Sequence, residues 1–250
     1  MFDVEPLTAG CGELLPRATH VCIGVSPFNG YFRTPRITAL AEWALRTFDG
    51  CHFFVPDTVA AYTLQAQGYP LGRARHKAQR QGQYVHNKVA TALRSLAVPD
   101  PCEQVWGMDR LRRNARYAEL LDEANGLFDG DRRFRDACLD ASRWVLEHKL
   151  APGAEPTREQ LLLAVRYFLA ELPLFADSGG IAAAEGAGDG GVSMFVYHQR
   201  VRFLERFYGG ELPWSAAPGQ GFLVVREHGS GPAPEAGQRR RDATARVTVS

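Results

Sequence analysis

The sequence predicts an α/β protein in which a largely parallel sheet is flanked by helices. Short apolar segments of strand length alternate along the chain with longer segments of helical periodicity. Residues 21–25 are all apolar or Gly, which is typical of a strand buried on both faces. The chain has 250 residues, 45% of them hydrophobic and 23% charged, with a net charge of +1. These values indicate one large globular domain, which we place at residues 1–226.

The other elements have local signals of their own. Thr34 and Pro35 predict a helix start, because Thr is a common N-cap and Pro suits the first helical position. Thr157 and Gln160 have the spacing of a capping box. The remaining predictions, in chain order, are a strand over 52–55, helices over 71–96, 108–127, 131–150 and 157–172, and strands over 193–197 and 222–226.

Two segments have the composition of irregular chain. Residues 179–191 are rich in Gly and Ala and are expected to form a flexible loop beside the site, while residues 227–250 are expected to be a disordered tail. No segment has the roughly 18 uncharged apolar residues of a membrane span, and the first residues include acids, so we expect a cytoplasmic protein. The five cysteines are scattered without metal-ligand spacing, so we expect reduced thiols and no metal site.

Ser26 is the first candidate for chemistry. It follows the buried strand directly, and ligands of open α/β sheets bind beyond the carboxyl ends of the strands. A serine placed there can act as a nucleophile. Ser, Pro, Asn and Gly are also ordinary turn residues, so a purely structural turn is an equal alternative for this segment alone.

The predicted helix over 71–96 carries a basic stripe. Residues 58–99 contain no Asp or Glu. Steps of three, four or seven residues place several cations and one aromatic residue on one face of this helix. Such a face fits a polyanion such as RNA or DNA, and the pattern alone does not distinguish the two. Its residues are Arg73, Lys77, Arg80, Tyr84 and Lys88.

Two further clusters accompany Ser26. Tyr167 and Glu171 are four residues apart on a predicted helix, so a phenol and a carboxylate project side by side. Such a pair can bind an ammonium group or move a proton, although most pairs of this spacing are only helix surface. Tyr197 and His198 end a predicted strand and should reach the same sheet edge as Ser26.

In this order, the three clusters resemble the cyclodipeptide synthase family, which makes diketopiperazines from two aminoacyl-tRNAs. The resemblance covers residues 20–226, and its most specific parts are Gly24 to Phe32, Tyr167 to Phe175, and Tyr197-His198. Asn29, Tyr197 and His198 match the branch of the family that has Asn, Tyr and His at these places. The family implies a Rossmann-like domain similar to the catalytic domain of class I tyrosyl- and tryptophanyl-tRNA synthetases. It also implies a monomer that needs no metal or organic cofactor and does not act on DNA.

The resemblance also implies roles for individual residues. Ser26 would carry the aminoacyl and then the dipeptidyl group, in a ping-pong mechanism. Tyr167 and Glu171 would hold the substrate ammonium group, and Tyr197 would assist proton transfer. Gly24 would leave room for the substrate, while Asn29 and His198 would order the site.

The family positions also imply a pocket and an RNA contact. The residues expected around the first aminoacyl group form an apolar lining, which favours hydrophobic or aromatic amino acids. They are Cys22, Phe54, Met108, Leu174 and Phe195. The residues expected to hold tRNA are Arg73, Lys77, Arg80 and Lys88.

Two other functions remain open at this point. Ser26, Asp177 and His198 occur in the chain order of an α/β-hydrolase triad, although Phe28 stands where the hydrolase elbow has Gly. A noncatalytic tRNA-binding module is the second alternative, in which only the basic helix matters.

Overall fold

The computed structural model describes residues 2–187 and 190–227, and its centre is a six-stranded sheet. The sheet order is β1-β6-β5-β2-β3-β4, and all neighbours are parallel except β1, which pairs antiparallel with β6. The predicted α/β class is therefore confirmed. The strands are β1 (Phe2–Pro6), β2 (His20–Gly24), β3 (Gly50–Val55), β4 (Val105–Gly107), β5 (Ser193–Tyr197) and β6 (Gln220–Glu227).

The strand order contains a switch point between β2 and β5. From β2 the chain adds β3 and β4 on one side, and it later returns to add β5 and β6 on the other side. The connections that leave β2 and β5 therefore diverge, which opens a crevice beyond the carboxyl ends of these two strands. This crevice is where a doubly wound sheet binds its ligand.

Helices flank this sheet. The long helix α8 packs against β2, β5 and β6, and α3, α6 and α7 pack against α8 in turn, while α2 packs against α4. None of the helices in the described ranges is long and apolar enough to cross a membrane. The helices are α1 (Ala9–Leu14), α2 (Thr34–Thr47), α3 (Ala60–Ala66), α4 (Leu71–Ser95), α5 (Met108–Leu111), α6 (Ala115–Gly130), α7 (Arg132–Glu147), α8 (Arg158–Ala184) and α9 (Arg202–Tyr208).

Helix α8 contradicts the prediction of a loop over residues 179–191 as far as Ala184. It continues through Pro173 to Ala184, with non-helical dihedral angles only at Asp177. The Asp177 carboxylate accepts a hydrogen bond of 2.8 Å from the backbone N–H of Gly180, so it caps the second part of the helix. Packing of this second part against the sheet outweighs the weak helix propensity of its Gly residues.

Other boundaries also differ from the predictions. The predicted helix over 108–127 is divided, because the Asn114 side chain accepts a hydrogen bond from the backbone of Tyr117 and starts α6 anew. Strands β1 and β4 and the short helices α1, α3 and α9 have no counterpart in the sequence prediction. The capping box of Thr157 and Gln160 is confirmed. The expected tail over 227–250 lies, from residue 228 onward, outside the described residues.

A buried chain of polar side chains links the strands at their amino ends. His20 lies 2.9 Å from His52 and 2.7 Å from Ser193, and Ser178 lies 2.7 Å from Ser193 and 2.8 Å from Gln220. Burial lowers the pKa of His20 to about 4. Burial, together with the nearby His20 and Arg110, lowers the pKa of His52 to about 3. Both rings are therefore neutral at pH 7. Their hydrogen bonds fix the sheet at the end opposite Ser26.

Substitutions at two glycines of α4 should have opposite effects on stability. A Cβ at Gly82 would collide with the Cβ of Asp57 and come within 2.8 Å of its Cα, whereas a Cβ at Gly72 would meet nothing within 4 Å. We expect Gly82→Ala to lower the free energy of unfolding by about 1–3 kcal/mol through overpacking. Gly72→Ala should raise it by up to about 1 kcal/mol through helix propensity. Urea denaturation measures both, and equal effects of the two substitutions would contradict the close approach of α4 to Asp57.

Candidate active site

Ser26 lies at the switch point of the sheet. It follows the end of β2 by two residues, and Tyr197 ends the neighbouring strand β5. The hydroxyl oxygens of these two residues are 3.0 Å apart. Burial raises the pKa of Tyr197 to about 12, so its phenol keeps its proton at neutral pH. The Ser26 hydroxyl is thus held by a hydrogen-bonding group that does not ionise.

Gly24 permits a close approach of aromatic rings from β5. A Cβ at this position would lie 2.9 Å from Cζ of Phe195 and 3.5 Å from Cδ2 of Tyr197. Two rings therefore occupy the space beside the Gly24 backbone, and they hold β5 against the end of β2. Space for the substrate at Gly24 remains a prediction.

The side chain of Asn29 is oriented by its own turn. Its Oδ1 accepts a hydrogen bond of 2.9 Å from the backbone N–H of Tyr31. Its Nδ2 therefore faces the opposite way, 2.9 Å from Nε2 of His198 and 3.5 Å from the Tyr197 oxygen. When the amide donates to the Tyr197 oxygen, the Tyr197 proton is free to point at Ser26. Asn29 thus connects the serine turn to both side chains at the end of β5.

His198 is held as a neutral ring. It stacks on Tyr31 with a centroid distance of 4.0 Å and an interplanar angle of 11°. The guanidinium of Arg36 covers Tyr31 at 4.1 Å from the ring centroid. Burial, together with the charge of Arg36, lowers the pKa of His198 to about 4. At neutral pH, His198 therefore adds no charge to the site.

Tyr167 and Glu171 reach the site from α8. Burial raises the pKa of Glu171 to about 8, although a hydrogen bond with Tyr167 opposes the shift. Burial and the nearby Glu171 also raise the pKa of Tyr167, although the Ser26 side chain beside it opposes the shift. The ligand-free site therefore holds a largely neutral carboxyl at pH 7. An ammonium group bound beside it would stabilise the charged carboxylate and lower its pKa.

The apolar residues predicted to surround the aminoacyl group are all buried. Cys22 pairs in register with Phe195, and Gly24 pairs with Phe54, so these side chains share one face of the sheet. Met108 begins α5 directly after β4, and Leu174 lies on α8. Each of the five predicted residues is at most 2% exposed. Their role as a pocket lining remains a prediction.

The basic face of α4 borders the serine turn. Arg73, Arg80 and Tyr84 are exposed, whereas Lys77 and Lys88 are half-buried. The Nζ atom of Lys88 lies 4.4 Å from the Tyr84 ring centroid and 3.5 Å from the carbonyl oxygen of Phe32. The predicted stripe thus continues up to residues that adjoin the site.

The geometry does not support a hydrolase triad. Asp177 forms an ion pair with Arg116 at 2.8 Å and caps the second part of α8. His198 contacts Asn29 through Nε2, and the Ser26 hydroxyl contacts Tyr197. The carboxylate and imidazole are thus engaged elsewhere, and the hydrogen-bonding partner of Ser26 is the Tyr197 phenol.

Comparison with protein-family models decides the family. Residues 2–227 match the model described as cyclodipeptide synthase, which is almost the whole described chain. The chain belongs to the cyclodipeptide synthase family. It is therefore an enzyme, an aminoacyltransferase of a family that uses aminoacyl-tRNAs as substrates.

Individual cyclodipeptide synthases are similar to this chain over most of their length. The cyclo(L-leucyl-L-leucyl) synthase of Bacillus subtilis is 31% identical over 233 residues, which is 90% of this chain and 90% of that protein. The cyclo(L-tyrosyl-L-tyrosyl) synthase of Mycobacterium tuberculosis is 31% identical over 231 residues, covering 92% of this chain and 77% of that protein. A solved structure from Mycobacterium tuberculosis superposes on this chain with a TM-score of 0.76 at 31% identity. The superposition covers 90% of this chain and 92% of the other. That structure demonstrated that cyclodipeptide synthetases are related to type I tRNA synthetases. The predicted family and its synthetase-like fold are confirmed.

The sequence patterns did not identify two residues that support the candidate site of this cyclodipeptide synthase. Arg36 covers the ring that stacks on His198. Asp57 accepts hydrogen bonds from the backbone N–H groups of Thr58 and Met108, which ties the end of β3 to the start of α5. Asp57 had a usable signal, because it comes just after a buried strand. Arg36 had none, since its ring contact forms only in the folded chain.

The raised pKa of Glu171 predicts a pH-dependent stability. Between pH 4.5, its ordinary pKa, and about 8, the folded protein keeps a proton that the unfolded chain loses. Rising pH therefore destabilises the wild type relative to Glu171→Gln, by at most about 1.4 kcal/mol per pH unit. Urea denaturation at several pH values measures this difference. Tyr167→Phe keeps the carboxyl and should keep the slope, and parallel curves for wild type and Glu171→Gln would contradict the raised pKa.

Proposed function

We propose that this enzyme joins two aminoacyl groups from aminoacyl-tRNAs into a cyclic dipeptide through covalent intermediates on Ser26. The observation that carries the proposal is the position of Ser26 at the switch point, between the Tyr197 phenol and the half-buried pair Tyr167 and Glu171. A nucleophile beside proton-carrying groups and a carboxyl suited to an ammonium group is what such an acyl transfer requires.

In the first step, the Ser26 oxygen attacks the ester carbonyl of one aminoacyl-tRNA. A new ester forms on Ser26, the bond to the terminal ribose breaks, and the Ser26 proton passes to the ribose oxygen. The Tyr197 phenol, hydrogen-bonded to Ser26, and the nearby Tyr167 phenol support this transfer, because both phenols keep their protons at neutral pH. The ester bond of the substrate supplies the driving force, so ATP is not needed.

Glu171 then prepares the amine of the bound aminoacyl group. An incoming ammonium group next to Glu171 favours the ionised carboxylate. With a pKa of about 8 in the free protein, this carboxyl exchanges a proton readily near neutral pH. It can thus accept the proton that the amine must lose to become a nucleophile.

Two further acyl transfers complete the product. The free amine attacks the ester of the second aminoacyl-tRNA, an amide forms, and the second tRNA leaves with the amine proton on its ribose oxygen. The new terminal amine then attacks the Ser26 ester, so the ring closes and the Ser26 oxygen leaves with a proton. Tyr197, 3.0 Å from that oxygen, is placed to relay to it the proton that the attacking amine loses.

The buried apolar side chains favour hydrophobic or aromatic amino acids as the first substrate. Cys22, Phe54 and Phe195 lie on the face of the sheet that carries Gly24, and Met108 and Leu174 flank it. A lining without charge selects against charged side chains. The names of the two similar synthases, which make cyclic dileucine and cyclic dityrosine, agree with this proposal.

The reaction is tested by incubating the purified protein with a complete set of charged tRNAs. We expect a cyclic dipeptide mass from the wild type and a loss of at least about a thousandfold in product with Ser26→Ala, because the covalent route is removed. Mass spectrometry measures both and names the two amino acids.

The controls are the folding and the tRNA binding of the Ser26→Ala variant, which keeps both neighbouring phenols. Ser26→Ala should unfold at nearly the wild-type temperature and should still bind tRNA, since the hydroxyl makes no phosphate contact. Product formation by Ser26→Ala would overturn the covalent mechanism. Absence of product from the folded wild type would favour the noncatalytic RNA-binding module.

The basic face of α4 predicts salt-dependent binding of tRNA. We expect Arg80→Ala to weaken tRNA binding severalfold and to reduce the slope of log affinity against log salt by about 1, because one phosphate contact is lost. Arg132→Ala removes a cation whose side chain is 91% exposed on α7 and should leave both quantities unchanged. Fluorescence anisotropy of a labelled tRNA between about 50 and 200 mM salt measures them. Equal effects of the two substitutions would contradict a specific RNA contact by α4.

A further inference from the structure

Phe28 is an exposed aromatic residue in the turn that carries the nucleophile. The residue is 38% exposed, although most Phe residues of the described chain are buried. Only one residue separates it from Ser26, so their Cα atoms are at most about 7 Å apart. An apolar ring this close to the reacting atom, and not buried in the core, is available to a ligand.

The backbone conformation of Phe28 is one that a bulky aromatic residue rarely adopts. Its φ angle is +63°, in the left-handed region that Gly and Asn adopt most easily and that bulky side chains disfavour. The turn is needed because it brings Asn29 back to His198. Gly or Asn would make the same turn with less strain, so the fold itself does not call for an aromatic ring.

A lysine connects this ring to the basic face of α4. The Nζ atom of Lys77 lies 5.7 Å from the ring centroid of Phe28 and 4.4 Å from that of Tyr69. It also donates a hydrogen bond of 2.9 Å to the Tyr69 hydroxyl. Arg73 adds a second cation 5.6 Å from the Tyr69 ring. Rings and cations thus alternate between the serine turn and the helix proposed to hold tRNA.

We propose that the Phe28 ring is the platform on which the 3′-terminal adenine of an aminoacyl-tRNA stacks. This inference rests on the proposed function. The ester that Ser26 attacks is attached to the terminal ribose, and the adenine lies on the other side of that ribose. An unpaired base stacks on an aromatic face, and cations beside the platform hold the adjoining phosphates. Lys77, fixed by Tyr69, is placed to hold the phosphate next to the terminal nucleotide.

A fluorescent base at the RNA terminus tests the platform. The probe is an uncharged hairpin RNA with an acceptor stem and a 3′ CCA end, in which 2-aminopurine replaces the terminal adenine. Stacking quenches the fluorescence of 2-aminopurine. We expect quenching by the wild type and by Phe28→Trp, which keeps an aromatic face. Phe28→Asn, which keeps the left-handed turn without the ring, should not quench and should bind about fivefold to a hundredfold more weakly.

Two controls separate stacking from general damage. Phe28→Asn should unfold at or above the wild-type temperature, because Asn tolerates the left-handed backbone and the lost side chain is exposed. A second hairpin with 2-aminopurine inside the paired stem should not be quenched by any of the proteins. Quenching confined to the terminal position therefore reports the proposed platform.

The outcomes distinguish this inference from the proposed function. Binding of the hairpin to the wild type without quenching, equal quenching by Phe28→Asn, or no binding of the hairpin at all would overturn the platform. If charged tRNAs still gave a cyclic dipeptide that depends on Ser26, the proposed function would stand. Absence of that product from the wild type would overturn the proposed function, whatever the fluorescence shows.

Discussion

Parallel pairing of β2 with β5 is the interaction on which the candidate site depends. It aligns Ile23 with Val196, so the two strands end together and Ser26 and Tyr197 meet at the same edge of the sheet. The pairing requires a residue without a side chain at Gly24, where the rings of Phe195 and Tyr197 approach the backbone. Once the strands are aligned in this way, α8 packs against the same part of the sheet and brings Tyr167 and Glu171 to the serine.

The electrostatic character of the site follows from this burial. The imidazole of His198, the phenol of Tyr197 and the carboxyl of Glu171 all favour their neutral forms in the free protein, because burial disfavours charge. The cations of α4 are instead exposed or half-buried at the rim. A polyanionic substrate would thus meet charge at the rim, while its ester would enter a nearly neutral interior. Phe28 and Lys77 lie where these two regions join.

The elements predicted correctly were those with strong local signals. The buried strand at β2 and the basic helix α4 are close to their predicted ranges, and the Thr157 capping box is present. The prediction failed where packing overrides composition. Helix α8 continues past Pro173 into Gly- and Ala-rich sequence because the sheet supports it, and β1 pairs with β6 from the far end of the chain. A contact between distant segments has no local signal.

The sequence by itself determined the fold class and the positive charge of α4, and it singled out Ser26 and residues of α8 and β5 as candidates for the site, because these depend on residue types and short spacings. Only the tertiary structure decided how they act together. Burial raises the pKa of Glu171, and a backbone N–H orients the Asn29 amide. The left-handed turn keeps Phe28 beside Lys77. Each of these properties depends on distances and solvent exclusion between groups far apart in the chain, and a linear pattern of residues does not contain them.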